Sequence, residues 1–168
     1  MSEDILQKED LLQDFVDSTI DVLTTMSGLD VTYDGMRKID GVVDGLGITA
    51  CMDITGVLGF SGGRRGSVLI TFSDAIALKA IGGMLGMEFT EVDADVRDGV
   101  GELVNMIAGG AKTKLQNKGI DFELSIPNTV IGSNHKITAP AATTRTRLDF
   151  GTPHGKFFIE VYLKRDDS

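Results

Sequence analysis

Residues Leu46 to Phe72 read LGITACMDITGVL, GFSGGRRG, SVLITF, and this stretch decides the fold class. From Leu46 to Leu58 the residues alternate. Leu46, Ile48, Ala50, Met52 and Ile54 share one face, and Thr49, Cys51, Asp53 and Thr55 share the other. A period of two is the signature of a strand. Half of the eight residues from Gly59 to Gly66 are glycine, which marks a hairpin loop leading into a second strand, Ser67 to Phe72. Ser73 or Asp74 then caps a helix that ends near Gly86.

Working outward, Leu12, Phe15, Val16, Thr19, Val22, Leu23 and Met26 recur at three- and four-residue spacing. They predict an amphipathic helix from about Ile5 to Met26, with Ser2 as cap and Gly28 as stop. Tyr33 to Gly45 reads as a turn-rich link. Asp93 or Asp95 opens a long helix running to about Lys118 and stopping at Gly119. Three β segments follow: Asp121 to Ile126, Ala142 to Phe150 and Lys156 to Leu163. The last two are joined by a hairpin signal, Gly151 to Gly155. This order predicts an α+β fold, an antiparallel sheet packed against long helices, in one domain over residues 1–168.

A weak internal repeat points to two related halves. Val16 to Met26 (VDSTIDVLTTM) aligns without gaps on Val96 to Met106 (VRDGVGELVNM), matching at the Val, Leu and Met positions. Each copy precedes a hairpin in which a glycine leads into an apolar strand, Gly66 with SVLITF and Gly155 with KFFIEVYL. The copies differ at two places: Val22 and Thr25 stand opposite Glu102 and Asn105.

Composition excludes several functions. The net charge of −9 argues against nucleic acid, whose phosphates need a basic face, and equally against anionic lipid. Cys51 is the only cysteine, so no intrachain disulfide or thiolate zinc cluster can form. The opening MSEDILQKED has no basic or apolar signal-peptide region, and no apolar run reaches the ~20 residues that span a bilayer. A reducing cytoplasm is the expected compartment.

The segment that carries chemistry is Asp98 to Lys112, DGVGELVNMIAGGAK. At 100° per residue, Val96, Val100, Leu103, Val104, Ile107 and Ala111 share a core face. Asp98, Glu102, Asn105, Gly109 and Lys112 fall on the other. Glu102 and Asn105, at i and i+3, stand beside each other, so one carboxylate and one carboxamide are presented together. Four glycines, each costing about 1 kcal/mol against alanine in a helix interior, call for a reason. Gly101 and Gly109 border the Glu102/Asn105 face, where a smooth surface lets a partner backbone approach. For Gly99 and Gly110, tight packing of the helix on its own sheet explains them equally well.

The acid-x-x-Asn pair within Gly101 to Gly109 (GELVNMIAG), followed by Leu124 to Pro127 (LSIP) and Val130 to Gly132 (VIG), resembles the signature of the CheC/CheX chemotaxis phosphatases. The resemblance runs from the first helix to the closing strand Phe157 to Leu163. CheC-type members usually carry two such motifs; this chain keeps one, as CheX does. The resemblance implies hydrolysis of the aspartyl phosphate on a CheY-like receiver domain. It implies that Asn105 orients the attacking water and that Glu102 contacts the receiver's active-site lysine. From their place on or beside the same helix face, Asp98, Gly101, Met106 and Gly109 are expected to border the partner contact. The resemblance also implies a homodimer joined through the sheets; the chain shows no compact oxygen-ligand motif, so no cofactor or metal site of its own is expected and Mg2+ is expected in the receiver. Many relatives carry Asn where this chain has Gly110, a position with no assigned chemistry. The competing expectation is a non-catalytic adaptor for a receiver domain or a flagellar switch component.

Gly59 to Gly63 (GFSGG) also matches the G-x-S-x-G nucleophile elbow, but that motif requires a strand, turn and helix, and here a strand follows. His135 and His154 sit in turn-like contexts, and Arg64-Arg65 reads as a solvated loop tip. Met84 and Met87 read as core filler.

Overall fold

The structure, a computed structural model, describes residues 2–39, 47–63, 65–139 and 143–164, and side chains from residue 10 onward. Leu46, Arg64, Ala142 and residues 40–45 of the expected link lie outside this set. The elements in chain order are α1 (Ser2–Ser27), β1 (Thr32–Lys38), β2 (Ile48–Ala50), β3 (Ile54–Gly62), β4 (Gly66–Phe72) and α2 (Asp74–Leu85). Then come α3 (Ala94–Gln116), β5 (Phe122–Leu124), β6 (Asn128–Ile131), β7 (Lys136–Thr138), β8 (Thr143–Thr152) and β9 (Gly155–Lys164).

Capping chemistry sets the helix limits. Ser73 caps α2, its Oγ accepting from the Ile76 N–H at 3.3 Å, and Gly86 closes it in the left-handed region at φ 67°. Asp93 caps α3 through the Val96 N–H at 3.0 Å. Gly28, at φ 62°, follows α1. Ser2, expected as a cap, is instead the first residue of α1.

One antiparallel sheet runs β1-β8-β9-β4-β3-β5, with β6 also paired to β3. The three helices cover one face, where Phe15, Leu23, Val68, Ile70, Phe72, Leu103, Val104 and Ile159 join one core. The predicted halves are plain in the pairing. Elements α1-β1-β2-β3-β4 and α3-β6-β7-β8-β9 correspond in order. Hairpin β3–β4 corresponds to β8–β9, pair β1–β8 corresponds to β6–β3, and β2–β7 and β4–β9 each join an element to its counterpart.

Two expectations need correction. Leu46 to Leu58 is not one strand: β2 and β3 are separated by Cys51 to Asp53 and belong to different sheets. β2 pairs with β7 as a two-stranded flap over the sheet's outer face, where Cys51, Leu69, Ala139 and Tyr162 are buried together. The faces of β2 are therefore inverted. Thr49 is fully buried, bonding the Tyr162 hydroxyl at 2.5 Å and accepting from Arg145 Nη2 at 3.0 Å, while Ile48 is half exposed. Tyr33 to Lys38 is not a turn but most of β1, an edge strand whose exposed, polar sequence hides its pairing with β8. β6 and β7 are short and mostly exposed, and the sequence does not announce them.

Candidate functional site

Helix α3 carries the site because its two faces are chemically segregated. Val96, Val100, Leu103, Val104, Ile107 and Ala111 are all fully buried, as the periodicity predicts. Asp98, Glu102 and Asn105 are exposed on the opposite side. Glu102 and Asn105 make no side-chain hydrogen bond or ion pair among the described residues, so their polar atoms are free to engage a partner. Asp98 differs: its Oδ1 receives Arg97 Nε at 3.3 Å across an exposed pair.

Two glycines explain how α3 lies so close to its neighbours. A Cβ on Gly99 would meet Ile81 of α2 at 2.7 Å, and one on Gly110 would run into the hydroxyl of Ser18 on α1. That hydroxyl donates to the Ile107 carbonyl at 2.6 Å. Both glycines therefore serve packing, though against helices rather than the sheet. Gly109 is different: nothing lies within 4 Å of its would-be Cβ. At Gly101 the neighbour is Thr129 Oγ1, at 3.4 Å.

The strands supply the other wall. The β5–β6 link passes alongside the first half of α3 and leaves a shallow groove of about 450 Å³. Arg97, Asp98, Gly101, Glu102 and Asn105 line it from the helix; Ile126, Pro127, Asn128 and Thr129 line it from the link and β6. Of the expected contact residues, Asp98 and Gly101 thus join Glu102 and Asn105. Met106 is half-buried, and neither it nor Gly109 lines the groove. The strand-side wall was missed as a site feature, although its signal, LSIP at Leu124 to Pro127, was visible.

Other chemistry-bearing residues are occupied. Gly59 to Gly63 lies at the end of β3 and its hairpin, with strand β4 beyond, so no nucleophile elbow exists there. His135 bonds the Gly132 carbonyl at 2.7 Å and the Thr55 hydroxyl at 2.6 Å, which spends both ring nitrogens on holding the flap. Burial pushes the Cys51 thiol up, away from the reactive thiolate. A larger depression, about 650 Å³, lies between the end of α1 and α2, but it holds no acid–amide pair.

The model of the chemotaxis phosphatase CheX family matches residues 54–151, a span containing all of α3 and its groove. The chain belongs to that family. A curated relative, the CheY-P phosphatase CheX of Thermotoga maritima, is 38% identical over 82 residues, which are 48% of this chain. The match spans 53% of that relative, about half its length. Among solved structures, the chemotaxis protein CheX from Vibrio vulnificus is 32% identical with a TM-score of 0.80, covering 92% of this chain and 99% of that one. The CheX of Desulfovibrio desulfuricans is 28% identical with a TM-score of 0.81, again covering 92% and 99%. No described helix is long and apolar enough to cross a membrane.

Proposed function

We propose that this chain hydrolyses the aspartyl phosphate of a CheY-type receiver domain, through one site in one domain. The observation that carries this reading is the Glu102/Asn105 pair, exposed, without a side-chain partner among the described residues, and lining a groove in a CheX-family fold. The name of the Thermotoga relative, a CheY-P phosphatase, supports the substrate class.

In the proposed reaction Asn105 orients a water in line with the phosphorus. The water oxygen forms the new P–O bond, the bond to the aspartyl oxygen breaks, and the products are a free aspartate carboxylate and dihydrogen phosphate, which keeps both of the water's protons. A carboxamide suits this task because it can both donate to and accept from the water, and being neutral it does not repel the phosphoryl oxygens. Such a reaction rests on positioning and charge stabilisation more than on covalent help. Glu102, one turn away, pairs with the receiver's lysine and sets the register of the two proteins. The Mg2+ belongs to the receiver in this scheme, and the reaction takes place in the cytoplasm.

Decay of a phosphorylated receiver, followed with and without the protein, is the test: faster release of inorganic phosphate is expected, and an unchanged rate across a panel of CheY proteins overturns the proposal. A homodimer joined through the sheets is proposed alongside it, and the mass in solution by sedimentation equilibrium checks that.

A further inference from the structure

The β5–β6 link carries a feature that Glu102 and Asn105 leave unexplained. Both strands pair with the same edge of β3, β5 through Phe60↔Leu124 and β6 through Val57↔Asn128. Between these pairs, Leu58 and Gly59 stand opposite three residues, Ser125, Ile126 and Pro127. One residue too many makes the link a β-bulge, a device that re-aims a side chain.

The bulge is rigidly held on both sides of its centre. Ser125 satisfies both ladder groups of Gly59: its N–H donates to the Gly59 carbonyl at 2.8 Å, and its Oγ accepts from the Gly59 N–H at 2.8 Å. Pro127 fixes its own φ and has no N–H left to satisfy. The residue expelled between them is Ile126, 87% exposed, the most exposed large hydrophobic among the described residues. An isoleucine pinned in water on a clamped backbone gains free energy only when something covers it. The clamp also means that docking has little backbone entropy left to remove.

We propose that Ile126 is the apolar anchor by which this chain docks on the receiver domain, seated beside the phosphorylated aspartate while α3 delivers Glu102 and Asn105. This rests on the phosphatase reading above. The occupant is a protein surface with a small apolar depression next to a cationic side chain. Ile126 requires the depression, and Glu102, which makes no ion pair among the described residues while the groove's Arg97 pairs with Asp98, favours the cation. A second copy of this chain fits less well, because it would bring two acidic grooves of a −9 chain together.

Ile126→Ser and Ile126→Val, made in the full chain, test the anchor on acetyl-phosphate-loaded CheY proteins, with kcat, KM, thermal midpoint and mass in solution all read. Loss of one buried aliphatic side chain is expected to raise KM roughly tenfold or more in Ile126→Ser, with kcat and the thermal midpoint little changed. Ile126→Val is expected to restore most of the lost affinity. An unchanged KM in Ile126→Ser overturns the anchor and leaves the phosphatase reading standing. A fall in oligomer mass with KM unchanged assigns Ile126 to self-association and overturns it equally. A native chain that turns over no CheY at all removes the phosphatase reading and the anchor together.

Discussion

The Asn105 side chain is exposed on α3 and makes no hydrogen bond among the described residues, so its removal should cost function and spare the fold. Asn105→Ala is expected to lower the dephosphorylation rate by ~10²-fold or more, the usual effect of losing one group that positions a reacting centre. Circular dichroism and thermal midpoint should match those of the unaltered protein. Near-native turnover by Asn105→Ala would remove it from the chemistry. In the proposed scheme Glu102 acts differently, through charge across the interface. Glu102→Lys sets a cation against the receiver's lysine, and close interfacial pairs of this kind are worth roughly a few kcal/mol. Binding titrations should therefore show affinity falling together with turnover; unchanged affinity would take Glu102 out of the contact.

At the scale of elements, the groove exists because α3 lies hard against β3. Gly56 makes this possible: a Cβ there would run into Val104, with the Val104 Cβ itself 3.2 Å away. Gly56→Ala is expected to lower stability by about 1–3 kcal/mol through overpacking. Adding Val104→Ala should recover part of the loss, since the two changes share one contact. Denaturant midpoints of the two single variants and the double variant measure this, and additive losses would mean that the contact does not set the helix–sheet distance. α1 is the counterpart of α3 in the duplicated fold, and at the positions of Glu102 and Asn105 it has Val22 and Thr25. Val22 is partly buried against the core, as expected of a valine there, and Thr25 is exposed. Valine offers no hydrogen bond, and the threonine hydroxyl is too short to replace a carboxamide. Thr25→Ala should leave turnover unchanged. Residual activity in Asn105→Ala that disappears only when Thr25→Ala is added would reveal a second working site.

The outer face of the sheet matters to the whole molecule. Beneath the flap, Arg145 donates to Glu160 Oε1 at 2.8 Å, Arg147 reaches Oε2 at 3.4 Å, and Tyr162 closes on Thr49. Burial pushes the Tyr162 hydroxyl up to about 12; the Thr49 hydrogen bond works against the rise and the Glu160 carboxylate adds to it. An unfolded chain ionises its tyrosines near pH 10, so below that pH both states hold the proton and the contribution of Tyr162 is fully present. Between about pH 10 and 12 only the unfolded state gives the proton up, and stability falls by up to ~3 kcal/mol at 1.36 kcal/mol per unit. Denaturant midpoints across this window should drop with rising pH, and Tyr162→Phe should flatten much of the slope. A slope unaffected by that change would mean that the flap does not seal the hydroxyl from water.

The amino-acid order alone determined what depends on local periodicity and capping. The buried and exposed faces of α3, the stop of α2 at Gly86, the two hairpins and the duplicated halves all follow from spacing that each segment carries within itself. The Glu102/Asn105 pair was legible for the same reason, since i and i+3 on a helix are neighbours whatever surrounds them. Tertiary structure decided what depends on pairing between distant segments. The inward turn of Thr49 in β2 and the edge strand β1 have no local signature, because edge strands and flaps take their faces from what they pack on. Ile126 shows the division most sharply: its sequence reads as the end of a strand, and only the count of residues along β3 forces it out into water, in the groove that Asn105 also lines.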